Sequence, residues 1–417
     1  MSKMDLQPVR GTRDILDKAA SLHNYVIETA RNIVTTYGYV DILTPIFECS
    51  EVFHRTLGET SDVVSKETYT FIDRDTSSLT LRPEFTAGVV RAFISNGLTQ
   101  STPLKLFTSG PVFRHERPQR ARYRQFHQIN CELLGAAEPS ADAETIAMAA
   151  SILKACGIFD QVKLEINSIG DVESRSRHRE ALTQYFSKFE SELSEDSKRR
   201  LVTNPLRILD SKDAEDQKIV AGAPNIEDYL NEASATHYRK ILSFLDQMGI
   251  HYTKNSKLVR GLDYYTHTVF EFTTANLGAQ ATVLAGGRYD GLVELMGGPH
   301  TPAIGFAAGV ERLCELMSNE LRLEKEVKFA LIPIGEAAED YAVPFAQSLR
   351  DSGMVVLMEY KGNPGKRFKK ADKQEADFAI VIGEEELAQG KCKIKNLKTG
   401  EELEAALRAG EIKKVAI

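Results

Sequence analysis

At 417 residues the chain is longer than one hydrophobic core usually supports, so two or three domains are expected. With 42% hydrophobic and 27% charged residues it has the composition of an ordinary globular protein, which excludes a largely disordered chain. A net charge of -7 argues against non-specific coating of nucleic acid, although a local basic face could still dock one polyanion. The segment Met1 to Asp14 carries Lys3, Asp5, Arg10 and Arg13 but no apolar leader, and no apolar run reaches membrane length. The expected compartment is the cytoplasm, with no membrane partner. From Leu16 to Tyr37, Leu22, Val26, Ile33 and Val34 recur at helical spacing, and Gly38 supplies a stop. Tyr39 to Phe47 reads as a strand near an edge or interface, because the proline of Thr44-Pro45 cannot donate to a central ladder.

Leu104–Phe113 and Tyr123–Leu134 read as an antiparallel pair of strands joined by a long arginine-rich loop. Ser140 is suited to cap a helix running to Leu153, with Asp142 and Glu144 at the positive end of its dipole. From Asp171 to Gly249 the pattern is charged and helical, with Leu182, Tyr185, Phe186 and Phe189 on apolar faces, and this stretch reads as a helical insertion. Strand signals return at Leu258–Phe272, Thr282–Leu292 and Ala303–Gly309, the last leading into a helix through Met317. Beyond Val327 the order is strand Phe329–Ile334, helix Ala337–Leu349, and strands Met354–Met358 and Phe378–Ile382. That order implies a separate βαβαβ module with a largely parallel sheet.

Five cysteines, Cys49, Cys131, Cys156, Cys314 and Cys392, are odd in number and scattered without a CxxC pair. Neither a disulfide framework nor structural zinc is expected, and the nine histidines include no HExxH. The chemically richest stretch is Phe113 to Gln128, with five arginines among the eleven positions from Arg114 to Arg124 and aromatic residues interleaved. A guanidinium matches phosphate oxygens and an aromatic ring gives a base a face to stack on, so a nucleotide polyphosphate or an RNA end suits this pattern. The bland alternative is a solvated charged hairpin, which is how most charge runs resolve. Strand alternation weighs against it. Arg124, Phe126, Gln128, Asn130 and Glu132 share one face of the second strand, with Tyr123, His127 and Ile129 on the other. Phe126 to Glu132 spans roughly 20 Å, about the length of an extended aminoacyl nucleotide.

Phe113-Arg-His-Glu-Arg117 followed by Arg122-Tyr-Arg-Gln-Phe-His-Gln128 resembles motif 2 of class II aminoacyl-tRNA synthetases in the form of the histidine–tRNA ligase family. Arg10-Gly-Thr-Arg-Asp14 resembles that family's N-terminal signature, Tyr39 to Pro45 its dimer-forming motif 1, and Ala303 to Leu313 its motif 3. Leu258 to Thr266 and Ala285 to Leu292 are similar to the two peptides that distinguish histidine enzymes; read alone, either would more often be a structural turn. The resemblance implies ATP-dependent activation of L-histidine to histidyl-adenylate, with Mg²⁺, and transfer to the 3′ end of tRNA(His) by a homodimer. It places Arg114, Glu116, Arg122, Phe126 and Arg312 on ATP, and Glu84, Thr86, Gln128, Glu132, Tyr265 and Tyr289 on histidine. Arg260, with Arg114, would act catalytically at the α-phosphate, and no protein side chain alone would hold the metal. Glu132 and Tyr265 would bind the imidazole, with Tyr289 closing the pocket. Gln119, Arg124, Lys366, Arg367, Lys369 and Lys370, with Lys361 and Lys373, are candidate tRNA contacts; the tail lysines otherwise make an exposed charged helix. Phe85, where the family pattern has a small residue, and Asn130-Cys131 depart from it.

The implied fold is α+β: an antiparallel sheet with flanking helices over 1–170 and 250–322, a helical insertion over 171–249, and an α/β anticodon-binding domain over 327–417. The competing reading is the non-catalytic, histidine-sensing regulatory subunit of ATP phosphoribosyltransferase, which would normally lack the extra module and the catalytic arginine loop. A synthetase for threonine, proline or glycine is disfavoured by the two histidine-type peptides.

Overall fold

The computed structural model describes residues 6–57, 67–117, 121–260, 264–278, 281–317 and 326–415, and the chain divides into two compact units, Met1–Leu321 and Arg322–Ile417. In the first unit α1 (Asp17–Thr36) leads to β1 (Val40–Asp41), β2 (Phe47–Cys49), α2 (Ser50–Leu57), β3 (Tyr69–Ile72), β4 (Ser78–Leu81) and α3 (Thr86–Ser95). The long hairpin β5 (Leu104–Phe113) and β6 (Gln125–Leu134) follows, then α4 (Pro139–Ala155) and β7 (Lys163–Ser168). Helices α5 (Val172–Phe186), α6 (Glu195–Thr203), α7 (Ala214–Ala221) and α8 (Glu232–Gln247) precede β8 (Thr253–Lys254), β9 (Thr266–Thr274) and β10 (Ala281–Arg288). The short α9 (Leu292–Leu295), β11 (Ala303–Gly309) and α10 (Val310–Met317) complete the unit.

Eight strands form one sheet in the order β1-β5-β6-β11-β10-β9-β7-β8, antiparallel except for the short edge pairs β1–β5 and β7–β8. The β5–β6 register runs without a slip from Leu104↔Leu134 to Phe113↔Gln125, so alternation along β6 is preserved through its whole length. One face of the sheet packs on α1, α4, α8 and α10, through Val26, Ile146, Leu153, Ile241, Leu245 and Leu313. The other face carries a smaller apolar cluster of Leu106, Leu134 and Val269 with Phe53, Val89 and Phe93, and beside it the polar side chains of Gln128, Asn130 and Glu132. Between β7 and β8, α5 to α7 surround a small core of their own made by Leu182, Phe186, Leu201, Ile208 and Ile219, whereas α8 packs with α4 on the main core.

Two local expectations need correction. Tyr39–Phe47 is not a continuous strand: only Val40 and Asp41 pair with β5, and the chain leaves the ladder before Pro45. Ser140 does not cap α4, because Pro139 already occupies the first helical turn, where its missing N–H is harmless, and Glu138 holds the cap position.

The second unit contains β12 (Lys328–Pro333), α11 (Glu336–Asp351), β13 (Val355–Met358), α12 (Pro364–Lys373), β14 (Phe378–Ile382), α13 (Glu384–Ala388), β15 (Lys391–Asn396), β16 (Glu402–Ala406) and α14 (Ala409–Val415). Its sheet runs β13-β12-β14-β15-β16. The three parallel strands are the expected βαβαβ pattern; the antiparallel pair β15–β16 extends it beyond what the sequence reading anticipated.

Candidate active site

The polar face of the eight-stranded sheet floors a cleft lined by Phe126, Gln128, Asn130 and Glu132 of β6, as alternation predicts. Arg124 breaks the series. Its Nε donates to the Glu116 carbonyl at 3.4 Å and its stem packs on Gly11, where an added Cβ would lie 2.8 Å from Arg124 Cδ. Arg13 lies over the Tyr123 ring at 4.3 Å, so the Arg10–Asp14 signature braces the entry to β6.

At the closed end, Glu132 is 1% exposed. Thr86 Oγ1 donates to its Oε1 at 2.5 Å, and the Tyr289 hydroxyl donates to Oε2 in a short contact. Burial pushes this carboxyl up to about 7; the Thr86 and Tyr289 hydrogen bonds oppose the rise and Glu84 adds to it. The carboxylate fits because its cross-strand neighbour is Gly305: a Cβ there would sit 1.8 Å from Glu132 Oε2. Gly287 has the same role for Tyr265, whose ring would lie 2.9 Å from an added Cβ. Tyr264, which sequence reasoning did not select, is buried with its ring 4.6 Å from Tyr265 and 5.6 Å from Tyr289. Adjacency to Tyr265 in the histidine-type peptide was the only signal available.

Glu84 is a helix-start carboxylate but a buried one. It accepts the Thr86 and Ala87 N–H groups at 2.6 and 2.9 Å, and burial still holds its carboxyl above the usual range. Gln128 is buried beside it in the cleft, and its Oε1 accepts no hydrogen bond. An acceptor left so in a closed site is costly unless a ligand donor meets it.

Toward the open end Arg114, Arg122, Arg260 and Arg312 all line the same cleft. Arg114 Nε donates to the Pro83 carbonyl at 2.9 Å and its guanidinium lies 5.5 Å from the Phe126 ring centre. Arg122 lies 3.5 Å from Glu116. Arg312 donates to the Thr282 carbonyl; burial lowers its affinity for the proton, and the charges of Arg122 and Arg114 lower it further against Glu116 and Glu271. Arg260 pairs with Glu271, which also accepts from Thr282 Oγ1 at 2.7 Å. Four guanidinium groups are thus gathered in one part of the cleft, with Glu116 and Glu271 as the carboxylates that pair with Arg122 and Arg260 there.

Arg288 also lies in a motif peptide but turns away from the cleft. It is 1% exposed and pairs with Asp142, 146 residues earlier, and with Asp290 at 3.1 Å, and it donates to the Ala136 carbonyl at 2.8 Å. Asp142, expected to serve the helix dipole of α4, instead neutralises Arg288; His237 and Arg288 more than offset the burial that would raise its carboxyl. This pair fixes the turn that presents Tyr289.

In the second unit Lys366 and Lys369 are exposed on α12, and Lys361 and Lys373 flank them. Arg367 does not belong to that face. It is 6% exposed, donating to the Pro333 carbonyl and pairing with Glu339, because it shares the inward side of α12 with Ala371. Lys370 pairs with Glu359. Gln119 lies outside the described residues.

The family model of histidyl-tRNA synthetase matches residues 11–313 and that of the anticodon binding domain matches 328–413. A histidine–tRNA ligase of Gluconacetobacter diazotrophicus is 53% identical, covering 97% of both chains, and one of Wolbachia pipientis wMel is 52% identical, covering 96% of this chain and 97% of its own. The crystal structure of apo Staphylococcus aureus histidyl-tRNA synthetase superposes with a TM-score of 0.82 at 38% identity, over 97% of this chain and 98% of the other. A largely antiparallel sheet flooring a cleft with arginines at one end and a buried carboxylate at the other is the core of a class II aminoacyl-tRNA synthetase. Within that class the chain belongs to the histidyl-tRNA synthetase family.

Proposed function

We propose that the protein activates L-histidine with ATP and transfers it to tRNA(His), with the cleft divided between an imidazole pocket and a triphosphate pocket. The observation that carries this reading is the juxtaposition, in one cleft, of buried Glu132 with Tyr264, Tyr265 and Tyr289, and of Arg114 and Arg122 from the β5–β6 loop, Arg260 from the segment before β9 and Arg312 from α10. A neutral imidazole offers one donor and one acceptor, which a carboxylate and a phenol satisfy together. Glu132 accepts the ring N–H and Tyr265 meets the other nitrogen, while Thr86 and Tyr289 hold the carboxylate in place. The open acceptor of Gln128, with Glu84, receives the α-ammonium.

Arg114 contacts the α-phosphate, Arg122 and Arg312 the γ-phosphate, Phe126 the adenine face and Glu116 its edge. Arg260 bridges the substrate carboxylate and the α-phosphate, exchanging part of its pairing with Glu271. In the first step a histidine carboxylate oxygen bonds to the α-phosphorus as the bond to pyrophosphate breaks. In the second, a terminal ribose hydroxyl of tRNA attacks the acyl carbon and AMP leaves. Neither step needs a protein nucleophile; positioning and charge stabilisation carry both. Mg²⁺ supplies further neutralisation of phosphate charge when bound. Of the lining carboxylates, Glu84, Glu132 and Glu311 are buried and already engaged, and Glu116 faces Arg122, so the nucleotide's own oxygens would hold the ion in the main.

Residues 327–417 form the anticodon-binding domain in this reading, with Lys366 and Lys369 toward RNA, and 171–249 a helical insertion into the catalytic core. Among the described residues no helix is long and apolar enough to cross a membrane, and a cytoplasmic setting fits tRNA charging. A homodimer accounts for the apolar side chains exposed around β1 to β3: Val40, Leu43, Ile46, Phe47 and Ile72. ATP–pyrophosphate exchange driven by each amino acid in turn tests the reading. Exchange with histidine alone is expected; histidine binding without exchange would favour a sensor.

A further inference from the structure

Three side chains whose chemistry neither reaction step uses meet at the back wall of the cleft, which Glu311 helps to line. His23 is carried by α1, His127 by β6 on the face opposite Phe126 and Gln128, and Glu311 by α10, next to Arg312. One potential ligand atom from each lies within 4.8 Å of the other two. Glu311 accepts the His127 backbone N–H with both oxygens, at 3.0 and 2.9 Å, and its Oε1 lies 2.8 Å from His127 Nδ1. The carboxylate and the imidazole nitrogen thus already face one another, as two ligands of a single ion would. The His23 ring stands edge-on to His127 with centres 4.4 Å apart. It is only 9% exposed, and its Nε2 has no hydrogen-bond partner. Packing alone gives no reason to place two imidazoles and a carboxylate in contact and leave a buried nitrogen without a partner.

We propose that His23, His127 and Glu311 form a binding site for one borderline divalent transition metal, with zinc as the reference ion, that ties α1 to the elements carrying Phe126 and Arg312. Two imidazoles and a carboxylate are the donor set of three-ligand zinc sites, whereas Mg²⁺ and Ca²⁺ select oxygen ligands. Ligand atoms at about 2.1 Å from a tetrahedral zinc lie roughly 3.4 Å apart, so the widest gap, at most 4.8 Å, must close by up to about 1.4 Å while Glu311 Oε1 and His127 Nδ1, now 2.8 Å apart, separate slightly, movements that rotation of the His23 and Glu311 side chains supplies. Arg13, whose charge reaches His23, opposes the cation and limits its affinity. The site was invisible in the sequence because His127 and Glu311 stand 184 residues apart.

The test is titration of chelator-stripped full-length protein with zinc chloride against a chromophoric competitor, on the wild type and His23→Phe, which keeps a ring on the same edge-to-face contact. One equivalent per chain is expected for the wild type, weakened by about 100-fold in His23→Phe, since loss of even an outer partner costs a metal site about 10- to 100-fold. Cobalt substitution in the wild type should give a d–d spectrum of a nitrogen- and oxygen-ligated ion without a thiolate charge-transfer band. Sub-stoichiometric zinc, equal zinc in both proteins, or a thiolate band from one of the cysteines would overturn the assignment. His23→Gln, smaller and polar, provides the same comparison if the phenylalanine variant misfolds.

Discussion

The two larger sheets of this protein bury opposite kinds of side chain. The C-terminal sheet closes over Phe329, Leu331, Ile380, Ile382, Cys392 and Ile394, an apolar layer in which burial stabilises the fold directly. The larger sheet gives one face to such a core and on the other buries Gln128, Asn130 and Glu132, with one carboxyl pushed up to about 7 and an amide oxygen left without a donor. The first arrangement is good for stability alone. The second lowers stability and is intelligible only if a ligand completes it.

Glu132→Gln separates the two effects most strongly. Histidine activation should fall by about 10⁴-fold, the scale of discrimination when a buried hydrogen-bonding partner is lost. Stability should move the other way. The folded carboxyl, at about 7 against an ordinary 4.5, binds its proton more tightly than the unfolded chain does. That contribution is whole below pH 4.5 and is lost as pH rises through 7, so ionising the group in place costs on the order of 3 kcal/mol at pH 8. Denaturant unfolding at pH 8 should show the variant more stable, and the gap should narrow toward pH 5; a variant less stable at pH 8 would contradict the burial argument. Arg288→Ala is the converse case. It leaves Asp142 buried with only His237 beside it and should destabilise the first unit by about 3 kcal/mol, measured by the same unfolding, with pyrophosphate exchange lost as the turn bearing Tyr289 loosens.

Arg260→Ala should keep histidine binding by calorimetry while single-turnover adenylate formation slows by about 10²- to 10³-fold, the usual loss for one donor to a developing charge. An unchanged rate would remove Arg260 from the mechanism. The smallest effect belongs to the C-terminal unit. Lys366→Ala with Lys369→Ala should weaken tRNA binding several-fold and flatten its salt dependence by about one contact each. Pyrophosphate exchange should stay as it was.

What could be read from the sequence follows the range of the interactions. Strands β5, β11 and β14 were legible to the residue because their patterns are local, and period-two alternation placed Phe126, Gln128, Asn130 and Glu132 on one wall before any coordinates. The resemblance to a family supplied the arginines and their expected roles. The Asp142–Arg288 pair was beyond reach, since nothing local joins residues 146 apart. Strand β15 was missed although Cys392 and Ile394 alternate with lysines, because the lysine run reads first as surface charge. Arg367 was misassigned to the basic face for the same reason, when its spacing to Ala371 points it inward.

The central claim is that Glu132 and the tyrosines around it recognise both ring nitrogens of histidine. It is tested most directly by comparing kcat/KM for pyrophosphate exchange with histidine and with 3-(2-thienyl)alanine, a near-isostere whose ring has no nitrogen. The account predicts a preference for histidine of about 10⁴–10⁵, because the buried partners go unpaired in the analogue. A ratio near ten would mean that the pocket reads only shape, and would contradict it.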